Sequence, residues 1–198
     1  MPNYDGVTCA ILAGGRSRRM GTDKSLVQLA GKPLLEHVLD RVKPLGMSTI
    51  LITNDPDRHK NFALPTFTDV LPDRGALGGI YTALVQSQTP YTLCVACDMP
   101  FLNAGLLRYL LDCRSNYDAV APVLNETIQG LHAVYGQTCL EPMRKCLECG
   151  ELRIQVFLTQ IQTRLISRTE IERLDPLFRS FVNLNTPDEL AHAQEKIS

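Results

Sequence analysis

The sequence has no uninterrupted run of about 18 apolar residues, so no segment reads as a membrane-spanning helix. It has no block of Lys and Arg, and its formal net charge is -1, which argues against a nucleic-acid partner. The stretch from Met1 to Gly6 is polar and lacks a basic-then-apolar leader pattern, so a cytoplasmic protein is expected, with no membrane partner. No internal repeat, low-complexity tract or long linker divides the chain. At 198 residues, one domain spanning 1–198 is the economical reading. A disulfide framework is not expected either, because the seven Cys are an odd number in a chain without a secretion signal. Two C-x-x-C pairs, Cys94/Cys97 and Cys146/Cys149, leave structural zinc, redox chemistry or buried inert thiols open. Cys94 and Cys97 fall in a strand-like run, where residues three apart point to opposite faces and chelate poorly, so inert thiols are the preferred reading.

What the sequence does hold is an alternation of short β-like runs and amphipathic helical runs. Val7 to Leu12 is a compact apolar run that ends in Gly14-Gly15, as a buried strand entering a loop would. Thr49 to Thr53 and Tyr91 to Ala96 read the same way, and Ala119 to Val123, Leu131 to Tyr135 and Phe181 to Leu184 as further strands. Helices are expected over Pro33 to Leu45, Ala76 to Gln88, Thr138 to Cys149 and Glu151 to Ile161, and after Asn103, an N-cap preceding Leu106, Leu107, Leu110 and Leu111. Thr186, Pro187 and Glu189 form a capping box opening a last helix. The resulting β-α-β order predicts an α/β fold, a mostly parallel Rossmann-like sheet with helices on both faces. Ligands of such sheets sit beyond the carboxyl ends of the strands. The residues of interest should therefore follow Leu12, Thr53 and Ala96.

The stretch after Leu12 is chemically distinctive. Gly14 and Gly15 allow backbone N–H groups to approach an anion, and Arg16, Arg18, Arg19 and Lys24 add four cations before position 25. Arg offers a planar fork and Lys a movable point charge, a combination suited to a triphosphate that leaves as pyrophosphate. The spacing fits neither G-x-x-x-x-G-K-[ST] nor G-x-G-x-x-G. A second candidate is Asp98, which follows an apolar strand and precedes Met99-Pro100. A hard carboxylate at a strand's carboxyl end, completed by phosphate oxygens and water, is a usual Mg²⁺ arrangement; an Asp that simply caps a turn is the plainer alternative. Asn54 offers a donor and an acceptor suited to a base edge, or begins a turn with Asp55-Pro56. His132 is a lone strand His, more at home in a structural role than on an acceptor surface.

The pattern L-A-G-G-x-S-x-R-M-G-x-D-K at Leu12 to Lys24 resembles the signature of the small NTP-transferase family, and within it the MobA-type molybdenum cofactor guanylyltransferases. The likeness extends over most of the chain and is weakest from Glu141 to Pro176. It implies a nucleotide-diphospho-sugar transferase type of fold and Mg²⁺ as cofactor. GTP is the implied donor and the terminal phosphate of molybdopterin-bound molybdenum cofactor the acceptor. Leu12, Ala13, Gly14, Gly15, Lys24, Asn54, Asp69, Gly78 and Asp98 are the implied nucleotide contacts. Asp98 is the implied metal ligand, and Lys24 with Arg18 or Arg19 the implied pyrophosphate stabiliser. The segment Asp73 to Gly79 resembles the family's D-x-x-x-G-P-L-x-G loop, with Ala76 where Pro is usual. Asn183 and Asn185, in a segment resembling F-x-N-x-N-T-P, are the implied acceptor contacts. A molybdoenzyme or delivery protein receiving the product is an implied partner. CTP-dependent relatives resemble L-A-A-G, so Gly14-Gly15 favours GTP. The rivals are a CTP- or sugar-phosphate-specific transferase and a non-catalytic nucleotide or cofactor carrier.

Overall fold

The structure, a computed structural model, describes residues 4–14, 23–184 and 186–195. Its centre is β1 (Val7–Leu12), buried along its whole length. On one side β1 pairs in parallel with β4 (Ser48–Ile52), and on the other with β6 (Tyr91–Ala96). A strand with parallel partners on both edges and helices on both faces has no solvated side, which is why VTCAIL carries no polar alternation. The order across the sheet is completed by β5 (Thr66–Phe67) beyond β4, and by β9 (His132–Gly136), β7 (Ala119–Leu124) and β10 (Thr163–Ile166) beyond β6. β9 runs antiparallel to both its neighbours, while β10 returns to a parallel pairing with β7. A short β8 (Thr127–Ile128) folds back on the end of β7, and β2 (Gln28–Leu29) and β3 (Lys32–Pro33) form a small separate hairpin. The mostly parallel α/β sheet expected from the sequence is present.

Two cores lie on the two faces. One packs Cys9, Ile11, Leu93 and Val95 against α1 (Leu34–Val42) and α3 (Ala104–Asp112). The other packs Ala10, Leu12, Ile52 and Cys94 against α2 (Gly75–Gln86), α4 (Leu140–Glu148) and α5 (Ile154–Thr159). The alternation along β1 and β6 assigns successive side chains to opposite cores. Cys94 and Cys97 fall in different cores accordingly, and burial pushes both thiols well up from their ordinary range. Among the described residues no helix is long and apolar enough to cross a membrane.

Three expectations change. Phe181 to Leu184 is not a strand: a 3-10 turn, Arg179–Phe181, precedes an irregular extended piece. Asp175 explains the turn, because its carboxylate accepts from the N–H groups of Arg179 (3.2 Å) and Ser180 (2.8 Å), satisfying donors that a sheet would otherwise take. The helix expected over Glu151 to Ile161 shrinks to α5, since Gly150 has φ 79° and the chain leaves α4 in an open turn. The helix from Pro33 ends at Val42, followed by a 3-10 turn containing Pro44. β10 carries no apolar run in the sequence, because it is an edge strand with Leu165 exposed. After it come α6 (Arg168–Glu172), started by the Ser167/Glu170 capping box, and α7 (Pro187–Glu195). The expected capping bonds at α7 are made: Glu189 N–H donates to Thr186 Oγ1 and Thr186 N–H to Glu189 Oε2.

Candidate nucleotide site

The carboxyl ends of β1, β4 and β6 stay tied together past the last strand residue. Ala13 N–H donates to Ile52 O (2.8 Å), Cys97 N–H to Leu12 O (3.1 Å) and Thr53 N–H to Phe67 O (2.9 Å). The first residues of three loops are thus held at one level, and they open into a cleft of about 1090 Å³. Leu12, Ala13 and Gly14 line it from β1, Asn54 from β4, and Asp98 from β6. Gly14 has open space where a Cβ would stand, so its role there is to leave backbone uncovered.

Lys24 and Asp98 meet across this cleft. Lys24 begins a short 3-10 turn, Lys24–Leu26, whose N-cap is Asp23: its carboxylate accepts from Ser25 N–H (3.0 Å). Lys24 Nζ lies 3.7 Å from Asp98 Oδ2, and both side chains are largely but not wholly withdrawn from solvent. Burial raises the Asp98 carboxyl above the usual carboxylate range, and the Lys24 ammonium offsets part of that rise. Nearby Glu189 pushes in the same direction as burial. Asp98 is therefore a carboxylate short of positive charge.

On the β4 side, Asn54 and Asp69 form a reciprocal pair. Asn54 Nδ2 donates to Asp69 Oδ2 (2.8 Å), and Asp69 N–H donates to Asn54 Oδ1 (3.2 Å). This fixes which face of the Asp69 carboxylate points into the cleft. The following loop is pinned to α2, because Val70 N–H donates to Thr82 Oγ1 (3.0 Å), itself bonded to Gly78 O. Gly79 lines the cleft, and a Cβ there would meet Leu12 Cδ2 at 2.9 Å. Gly78, the residue singled out from the sequence, turns toward the loop, where a Cβ would stand 2.6 Å from Arg74 Cβ. The glycine that faces the cleft is the next one along.

Asn183 sits beside the site rather than in its lining. Leu184 N–H donates to the backbone carbonyl of Asp98 (3.0 Å), which straps the segment to the end of β6, and Asn183 Oδ1 is buried without a hydrogen-bond partner among the described residues. His132 does not reach the cleft: its ring is fully buried against Phe181, centroids 5.0 Å apart, and neither ring nitrogen has a hydrogen-bond partner. Gly15, Arg16, Arg18, Arg19 and Asn185 lie outside the described residues. The cleft also contains Arg58 and Asp55, joined at 2.8 Å, which sequence reasoning passed over because a polar turn carries no periodic signal.

A model of the MobA-like NTP transferase domain matches residues 9–192. The chain belongs to that family. It is 38% identical to a probable molybdenum cofactor guanylyltransferase of Natronomonas pharaonis, over 96% of this chain and 98% of that one. It is 33% identical to a molybdenum cofactor guanylyltransferase of Desulfosudis oleivorans, over 98% and 96%. Among solved structures it is similar to molybdopterin-guanine dinucleotide biosynthesis protein A of Archaeoglobus fulgidus, with TM-score 0.83 and 27% identity over 96% of this chain and 98% of that one. A 4-diphosphocytidyl-2C-methyl-D-erythritol synthase from Anaerococcus prevotii shares the fold, with TM-score 0.73 at 13% identity, over 98% of this chain and 96% of that one.

Proposed function

We propose that this chain transfers GMP from GTP to the terminal phosphate of molybdopterin-bound molybdenum cofactor, giving the guanine dinucleotide form of the cofactor and pyrophosphate. The observation that carries this reading is the meeting of Lys24 and Asp98, 74 positions apart in sequence, at one cleft wall. The names of the relatives, molybdenum cofactor guanylyltransferases matched over nearly their full length, supply the acceptor.

A phosphate oxygen of the acceptor attacks the α-phosphorus of GTP. The new P–O bond forms as the bond to the β-phosphate oxygen breaks, and the electron pair leaves with pyrophosphate. The attacking oxygen is already anionic, so no strong general base is required. Catalysis rests on alignment and charge neutralisation. Lys24 answers the charge that develops on the leaving pyrophosphate, with Arg18 or Arg19 assigned to the same task. The backbone of Leu12, Ala13 and Gly14 in the cleft lining receives the nucleotide, with Gly15 assigned to the same contact. Asp69, oriented by Asn54, accepts from the N–H donors on the Watson–Crick edge of guanine. Asn183 and Asn185 address the acceptor phosphate.

The donor set at Asp98 fits Mg²⁺. One carboxylate oxygen of Asp98 with substrate phosphates and water would complete the shell of such an ion. Asp98 is a single hard ligand whose burial leaves it needing cationic charge. When bound, the ion supplies charge neutralisation at the phosphates.

The decisive experiment incubates the protein with GTP, Mg²⁺ and molybdopterin-loaded acceptor and analyses the products. The expected result is the guanine dinucleotide cofactor with one pyrophosphate released per turnover. Product with CTP in place of GTP would reassign the base, and nucleotide binding without pyrophosphate release would make the protein a carrier.

A further inference from the structure

Behind Lys24 lies a buried polar chain to which the reaction above gives no role. Ser25 is fully buried, and its hydroxyl donates to Asp23 Oδ1 (2.6 Å). The same oxygen of Ser25 lies 2.7 Å from Nε2 of His59, whose side chain has no solvent exposure. Nδ1 of His59 donates to the carbonyl of Asp55 (2.9 Å), an oxygen that can only accept. His59 Nε2 is also 3.6 Å from Asp23 Oδ2. Both imidazole nitrogens therefore lie within hydrogen-bond distance of a polar partner, and with Nδ1–H given to Asp55 the single Ser25 proton can serve Asp23 Oδ1 or Nε2, not both at once.

The two ends of this chain are both parts of the cleft. Asp23 is the N-cap of the turn that presents Lys24, so its orientation sets where the Lys24 backbone lies. Asp55 adjoins Asn54, whose amide orients Asp69. Among the described residues no backbone ladder joins the two segments: the β2–β3 hairpin and α1 lie between Lys24 and β4 in the chain, and the Lys24 turn belongs to no strand of the main sheet. Side chains supply the connection. A buried side-chain network holds its members in one arrangement more firmly than a solvated loop contact would, so it transmits position between the two segments.

We infer that Ser25 and His59 are positioning residues: through Asp23 they fix the Lys24 ammonium for the pyrophosphate portion of the nucleotide and lock it in register with the turn that carries Asn54. The inference rests on the proposed nucleotidyl transfer for its meaning, but its test does not need the acceptor or the base. The ligand is inorganic pyrophosphate with Mg²⁺, titrated calorimetrically against the full chain. Ser25→Ala should weaken pyrophosphate binding about tenfold, the scale of coupling between residues in one hydrogen-bonded network. In a Lys24→Ala background, adding Ser25→Ala should change affinity by less than about twofold, because the effect acts through Lys24.

His59→Ala opens a buried hole, so two shape-conserving variants separate positioning from folding. His59→Gln carries an amide to the place of Nε2 and should keep affinity near that of the unaltered protein. His59→Asn reaches only the place of Nδ1, loses Ser25, and should behave like Ser25→Ala. Wild-type-like binding by Ser25→Ala, or an equal loss whether or not Lys24 is present, would overturn the inference. If the cycle holds but no GMP is transferred, the proposed reaction falls and the positioning role stands. If GMP is transferred but the cycle is additive, only the positioning role falls. An unaltered protein that binds no pyrophosphate would remove both.

Discussion

Removing the Asp98 carboxylate takes away the only acidic side chain that the β6 end contributes to the cleft. Asp98→Ala should lower Mg²⁺-dependent transfer by two or more orders of magnitude, roughly the scale of losing a key electrostatic group in a dry site. A steady-state assay of pyrophosphate release checks it, with circular dichroism reporting the fold. Retained turnover would move the metal elsewhere. His132 makes a prediction of a different kind. Burial holds its imidazole down to about 4, against 6.5 in an unfolded chain, with Asp175 opposing. The unfolded state therefore binds the extra proton first. Stability from this group is complete above pH 6.5 and is lost as pH falls toward 4, by about 3 kcal/mol over that window. Urea midpoints measured at pH 7 and pH 5 should diverge in the unaltered protein and much less in His132→Leu. Residues like these show what the sequence could and could not say. Lys24 and Asp98 stood out because one closes the glycine-rich cationic stretch and the other follows an apolar strand; Asp69 was reached only through the family resemblance. Ser25 and His59 did not, because a Ser beside a Lys and a His in a polar turn have no pattern until folding buries them side by side.

At the scale of elements, the central strands were readable because they are buried on both faces and carry uninterrupted apolar side chains. The edges were not. β5 is two residues long, and β10 is an edge strand of four residues with Leu165 exposed, so neither has a hydrophobic signature. The misread piece is Phe181 to Leu184, whose Val182 and Leu184 suggest alternation, yet Asp175 and Ser180 take its backbone into a turn instead. Ser180 Oγ accepts from Asn103 N–H (2.9 Å), and Asn103 caps α3 through Gly105 and Leu106, so one cluster sets both the α3 start and the strap that follows. Asp175→Ala would leave two buried or half-buried N–H groups unpaired. It should cost about 2–3 kcal/mol in chemical denaturation. Since that cluster precedes Asn183 and not Asn54, the variant should raise the KM for the acceptor while the Kd for GTP stays within about twofold. Equal damage to both would mean that the strap supports the donor side as well.

For the molecule as a whole, the donor cleft draws on β1, β4 and β6 and on the loops between Asn54 and Gly79, so a bound nucleotide bridges segments that unfolding would separate. Ligand that binds only the folded state stabilises it by about 2.7 kcal/mol at a hundred times its dissociation constant. GTP with Mg²⁺ should therefore raise the thermal midpoint by several degrees, with ATP, CTP and UTP giving smaller shifts at equal concentration. Identical shifts for all four would remove base reading from Asp69. The sheet order, with antiparallel β9 placed between β6 and β7, could not have been read from local pattern, since pairing across the chain leaves no mark on either strand alone.

Among the described residues the strap at Leu184 meets the cleft's rim through its hydrogen bond to the Asp98 carbonyl, and α7 follows it. On the proposed function, recognition of the recipient would fall to a segment joined to the rim of the cleft, with Leu184 and Ala193 packed on Leu29 and Leu34. Exposed positions of that segment, such as Val182, could then change and alter the recipient while Leu184 and Ala193, buried in the cluster, stayed as they are.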